Sequence, residues 1–184
     1  MTNNPFKRVV VLMMENHSYD HLLGWVPGVG NLNDSDGQYD SNGKFWPAGK
    51  VTDPKNDDFL YDPHHDFTDV INQMYGTTDG SIPVSPAGSV PQPAPGKWFL
   101  QNNSSEYPNA STFMECFTPD QIPALATLAQ NYTTCGKWFA ALPGATGPNR
   151  LFAHCATSGG YSGSYYNYNP SSPSSFAPPM KSVF

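Results

Sequence analysis

Four residues of this chain could do chemistry by their type and placement: Glu15, Asn16, His65 and Thr146. Glu15 and Asn16 follow directly on the apolar run Val-Val-Val-Leu-Met-Met at residues 9–14. Hard oxygen ligands for a divalent cation would therefore stand at the carboxyl end of a buried strand. Thr146 lies in Leu-Pro-Gly-Ala-Thr-Gly-Pro-Asn-Arg, residues 142–150. Pro143 and Gly144 turn the chain there and Pro148 suits the first turn of a helix, so the Thr146 hydroxyl falls at a helix amino terminus. Such a place favours an anion such as phosphate, through exposed N–H groups and the helix dipole. A threonine hydroxyl attacks phosphorus only when a base or a metal ion activates it, so this motif asks for a cation nearby. His65, in Asp-Pro-His-His-Asp at 62–66, could donate to a phosphoryl oxygen or protonate a leaving group near neutral pH.

The elements that must position these residues are read from periodicity. Residues 7–14 lack polar alternation and predict a fully buried strand. A short helix follows over 18–23, capped by Ser18 and stopped by Gly24. From 26 to about 49 the chain is mostly Gly, Asn, Asp, Ser and Pro, the chemistry of loops. Phe67, Val70, Ile71 and Met74 fall at helical spacing and Gly76 ends that helix. Residues 77–97 hold five prolines and predict an excursion without helix or central strand, extending as loop-rich chain to about 112. The clearest helix runs over 120–130, with Pro123 near its first turn, and 133–141 reads as a second strand. Strand, helix and strand in that order favour an α/β sandwich, with the strand ending at Glu15 beside the strand that leads to Thr146.

Composition allows one ordinary globular core: 184 residues, 38% apolar and 14% aromatic. A formal charge of −6 without any basic run excludes the electrostatic footprint of a nucleic-acid binder. No apolar run reaches the roughly 20 residues of a membrane span, and 9–14 is too short for the apolar part of a secretory signal. Cys116, Cys135 and Cys155 share no metal-binding spacing and read as buried free thiols.

Three stretches together resemble a known family. They are Val-Val-Val-Leu-Met-Met-Glu-Asn-His-Ser-Tyr-Asp-His-Leu-Leu-Gly, Asp-Pro-His-His-Asp-Phe-Thr-Asp-Val-Ile-Asn-Gln-Met-Tyr-Gly, and Pro-Gly-Ala-Thr-Gly-Pro-Asn-Arg-Leu-Phe followed by Ala-Thr-Ser-Gly-Gly. In this order they resemble the phosphoesterases that group bacterial phosphatidylcholine-type phospholipases C with acid phosphatases of the alkaline-phosphatase-like superfamily. The resemblance covers residues 6 to about 160. It implies a three-layer α/β/α sandwich and a metal-dependent phosphoester hydrolase, with a phosphoester, including phospholipid, as substrate and a divalent metal ion of unspecified identity as cofactor. Glu15 and Asn16 match the family's metal-binding pair, Thr146 its Ser or Thr nucleophile and further metal ligand, and His65 a histidine that contacts bound phosphate. It also brings a secreted or periplasmic location into consideration.

The chain departs from the family's pattern in two places. Ala145 and Gly147 flank the threonine where the family's loop reads close to Pro-Thr-Trp-Pro-Asn-Arg, which implies a less bulky pocket wall. Family members add carboxylate ligands and phosphate-binding histidines far downstream of the nucleophile, whereas no Asp or Glu follows Asp120 here. The chain therefore reads as the amino-terminal part of one catalytic domain. The competing readings are a solvated strand end for Glu15 and Asn16, a helix cap for Thr146, a surface histidine for His65, and a truncated chain that binds without catalysing. His17, His21, His64 and His154 read as structural or solvated.

Overall fold

The computed structural model describes residues 7–15, 17–52, 62–83, 98–104, 106–107 and 109–163. Asn16 and residues 84–97 lie outside that set. The order is α1 (Tyr19–Leu23), β1 (Gly37–Tyr39), β2 (Phe45–Pro47), β3 (Gly49–Lys50), α2 (Phe67–Tyr75), α3 (Phe99–Ser104), a 3₁₀ turn (Ala110–Met114), β4 (Glu115–Cys116), α4 (Pro123–Asn131) and α5 (Thr146–Cys155). The result is mixed α/β. Its sheets are two small pairs: β1 with β2 antiparallel, and β3 with β4 parallel in the register Gly49 to Glu115.

Three helices stand close to where periodicity put them. In α1 the Ser18 hydroxyl oxygen caps by accepting from the His21 N–H at 3.3 Å. Helix α2 ends at Gly76, whose φ of +71° is the left-handed cap that glycine adopts without strain. Helix α4 begins at Pro123, which needs no N–H partner in the first turn. The hairpin within the loop-rich stretch was not legible. It forms because the Asp40 Oδ1 accepts from the N–H groups of Asn42 and Lys44, while its Oδ2 accepts from the Trp46 indole N–H at 2.8 Å. Those bonds hold the Asp40 carboxyl below its ordinary range, the Trp46 bond first.

The core sits between this hairpin, α3 and the 3₁₀ turn. Leu100, Ala110 and Phe113 are buried together, with Trp46, Phe99, Tyr107 and Met114 packed against them. The Gln38 side-chain oxygen accepts from the Leu100 N–H at 2.9 Å and so ties hairpin to helix. Full burial of a leucine such as Leu100 stabilises by about 1.5–3 kcal/mol.

Two predicted strands are corrected. Residues 7–14 form no ladder with any described residue, and their apolar side chains are exposed, Val10 to 90% and Leu12 to 81%. Residues 133–141 are likewise irregular, with Trp138 85% and Phe139 79% exposed. A run of Val and Leu expresses a preference for a buried ladder, but burial is supplied by neighbouring strands, and none of the described residues provides one. The single large sheet between helix layers is therefore not seen among the described residues. Residues 98–104 correct the reading in the other direction, since a stretch assigned to loop contains α3 and the fully buried Leu100 and Asn103.

Candidate active site

Helix α5 starts earlier than Pro148 suggested, at Thr146 itself. Its cap residue, Ala145, has extended backbone angles, is almost wholly buried and has no side chain to satisfy the helix amino terminus. The preceding loop is held by one side chain. The Asn149 Oδ1 accepts from the Leu142 N–H at 3.0 Å, and its Nδ2 donates to the carbonyls of Leu142, Gly144 and Ala145 at 2.9, 3.2 and 3.0 Å. Gly147 and Pro148, within the first turn itself, are buried. Thr146 is thus fixed at a half-exposed helix start whose dipole and geometry suit an anion.

The turn bearing His65 is anchored from below. Asn103, fully buried, donates to the Phe99 carbonyl and accepts from the His64 N–H, both at 2.8 Å. Gln73 donates to the His64 carbonyl at 2.7 Å. The His65 Nδ1 lies 2.8 Å from the Pro63 carbonyl oxygen and 3.6 Å from the Asp62 carboxylate. Donation from Nδ1 to that carbonyl fixes the orientation of the ring and leaves Nε2 as its other nitrogen. The neighbouring His64 is spent structurally: its Nε2 meets the Glu106 carboxylate at 3.0 Å and its ring lies against Tyr107.

Glu15 meets helix α5 through Arg150. The Arg150 Nη2 donates to its Oε1 at 2.7 Å and the Arg150 Nε to its Oε2 at 3.3 Å. Arg150 is four residues beyond Thr146 on α5, so both lie on one helix face. A Cβ on Gly144 would stand 3.4 Å from the Phe67 backbone, which places the Thr146 loop directly against the residues that follow His65. Glu15, His17, His21, Asp62, His64 and His65 line one cleft of about 1000 Å³. Thr146 is not among its lining residues; its link to that cleft runs through Arg150 and Glu15.

His17 and His21 face one another with their Nδ1 atoms 3.1 Å apart, and the His21 ring stacks on Phe117. Burial, reinforced by His17, pushes His21 down to about 4, so it is neutral at pH 7. Burial and then the Asp36 charge raise the Asp20 carboxyl. Burial first and Asp20 second push the Cys116 thiol up to about 11, which keeps it a thiol. The cysteines are all free, but Cys135 is exposed and Cys155 half-buried, which corrects the expectation that all three are buried.

The structure brings Glu15 and His65 to one cleft and joins Glu15 to the Thr146 helix. The described residues do not fit a complete divalent-cation site, since no three His, Cys, Asp or Glu side chains among them converge and both Glu15 oxygens engage Arg150. Sequence reasoning missed the work of Arg150, Asn149, Asn103 and Gln73. The Pro-Asn-Arg run was the one available signal, because its Asn and Arg fall three and four residues after the threonine.

The model of the phosphoesterase family matches residues 6–180. The chain belongs to the phosphoesterase family. This phosphoesterase-family chain is 37% identical to non-specific phospholipase C5 of Arabidopsis thaliana over 166 residues, which are 85% of the chain and 31% of that relative. Non-specific phospholipase C3 of the same plant is 32% identical over 85% of the chain and 30% of its own length. Hemolytic phospholipase C of Pseudomonas aeruginosa is 29% identical over 82% of the chain and 19% of its own length. The chain thus spans about a third or less of the relatives it matches. None of the helices in the described residues is long and apolar enough to cross a membrane.

Proposed function

We propose that this chain supplies the nucleophile half of a phosphoester hydrolase of phospholipase C or acid phosphatase type. The Thr146 oxygen bonds to phosphorus as its hydroxyl proton passes to solvent, the bond from phosphorus to the ester oxygen breaks, and His65, carrying a proton on Nε2, gives it to the departing alcohol or diacylglycerol and is reprotonated from solvent. Water then attacks the phosphothreonine, releasing phosphate or a phosphorylated headgroup and restoring the hydroxyl. The observation that carries this reading is Thr146 at the first position of α5, in a loop fastened by Asn149. The names of the relatives favour the diester, a phospholipid, as substrate.

Residues 1–184 are taken as the amino-terminal part of one catalytic domain, and that domain as the three-layer sandwich of the alkaline-phosphatase-like type. Support comes from relatives matched over most of this chain but less than a third of their own length. Metal dependence belongs to the whole enzyme, with Glu15, Asn16 and Thr146 as this chain's share of ligands. The alternative of a chain that binds without catalysing draws no support from its relatives, which are named as phospholipases.

The test is hydrolysis of phosphatidylcholine and of a chromogenic phosphate monoester by the enzyme that carries this segment, with acid quenching to trap a phosphorylated peptide containing Thr146. Thr146→Ser should retain turnover and a trapped phosphopeptide, and Thr146→Ala should lose both. A Thr146→Ala enzyme working at near-normal rate would sink the proposal.

A further inference from the structure

Gln73 both fastens the His65 turn and lines the cleft. From α2 its Nε2 donates to the His64 carbonyl at 2.7 Å and to the Asn102 Oδ1 on α3 at 3.2 Å. A carbonyl only accepts, so the nitrogen edge of the amide must face His64, and two acceptors on separate segments fix the amide plane. That leaves Oε1 on the other edge of a half-buried side chain, and among the described residues no donor meets it. We propose that the Gln73 Oε1 accepts an N–H of a protonated amine on the substrate headgroup, so that Gln73 selects amine headgroups over quaternary ammonium ones. This rests on the proposed phosphoester hydrolysis and adds to it a residue that reads the substrate.

Other polar groups of the same cleft are committed within the chain. The Gln38 Oε1 accepts from Leu100, the Ser18 hydroxyl oxygen caps α1, and the His64 Nε2 meets Glu106. Asp36 and Asp62 add carboxylates to the lining, and no lysine or arginine is among the described residues that line it. Carboxylates attract a cation but discriminate weakly between an ammonium and a trimethylammonium group, which carry the same charge. A fixed amide oxygen discriminates by a different property. It accepts a hydrogen bond that only an N–H supplies, and a methyl group in that place strips water from the oxygen and returns no donor. Each methylation of the amine removes one N–H, yet a single one satisfies Oε1. Selection against the headgroup therefore falls at the last methyl, whereas selection by size would grow with each.

The experiment uses the enzyme that carries this segment and three short-chain lipids below their micelle concentration: dihexanoyl phosphatidylethanolamine, its N,N-dimethyl derivative and dihexanoyl phosphatidylcholine. In the unaltered enzyme kcat/KM for the first two should agree within about threefold and exceed that for phosphatidylcholine by about tenfold. Gln73→Met keeps the side-chain length and removes both edges of the amide. It should lower all three rates by a shared factor, through the lost hold on His64, and bring the three lipids within about threefold of one another. Gln73→Glu keeps an acceptor oxygen and loses the donor to His64, so rates should fall while the preference stays. Circular dichroism establishes that each variant is folded, and if Gln73→Met fails to fold, Gln73→Leu takes its place with the same expectation. A preference that is absent from the unaltered enzyme, that declines evenly with each methyl, or that survives Gln73→Met overturns the proposal, leaving Gln73 only its hold on the His65 turn. An unaltered enzyme that hydrolyses none of the three lipids overturns the hydrolase reading beneath it, an outcome distinct from hydrolysis without preference.

Discussion

The Thr146 loop and the segment that leads to Glu15 are two halves of one proposed site, built by different means. The loop at 142–145 is fastened by four bonds from Asn149, all within seven positions along the chain. Residues 9–14 have no ladder among the described residues, expose their Val and Leu side chains, and end at a carboxylate placed by the fork to Arg150. Short-range side-chain bonds can preorganise a nucleophile without a sheet. A ligand at the end of a strand depends on the strand's partners, which are distant in sequence.

Removing the hydroxyl of the proposed nucleophile is the severest way to test the first half. Thr146→Ala should lower turnover by about a thousandfold or more, whereas Thr146→Ser should stay within about tenfold, both read from steady-state rates on a phosphodiester. The core that supports the His65 turn comes next. Leu100→Ala should destabilise the chain by about 2–5 kcal/mol in urea unfolding, because it opens a cavity at a fully buried position. The matching substitution in the other half, Leu12→Ala, should cost no more than about 0.5 kcal/mol, since that side chain is already 81% exposed. Equal costs at the two positions would erase the contrast between the regions.

Asn149→Ala should cost about 2–3 kcal/mol, because the loop N–H and carbonyl groups lose their partner in a half-buried place. A loss under half that amount would mean that the loop holds its shape without Asn149. A smaller effect than that of Asn149 concerns pH. His21 is depressed to about 4 in the folded chain against 6.5 when free, so the unfolded chain takes up the proton first. Its stabilising contribution is whole above about 6.5 and drains away as pH falls towards 4, amounting to about 1–2 kcal/mol after allowance for solvent screening. The raised Asp20 carboxyl works in the opposite sense, so the difference between unaltered chain and His21→Phe isolates the histidine. Identical stability curves for the two between pH 4 and 7 would show that His21 titrates normally.

The sequence by itself determined what is local. Capping residues, a glycine stop and a proline at a first turn placed α1, α2 and α4 within a few positions, because helix hydrogen bonds and their caps close within four residues. It also located Thr146 at a helix start and singled out Glu15 and His65, because motif chemistry depends on residue type and near neighbours. Tertiary structure alone decided that Asn103 reaches up to the His64 backbone, that Gln38 meets Leu100, and that Arg150 closes on Glu15, contacts 39, 62 and 135 positions apart. It likewise decided that the two most apolar would-be strands stand exposed, because a strand's hydrogen bonds and its burial both belong to whatever lies beside it, and a side chain's own chemistry does not specify that neighbour.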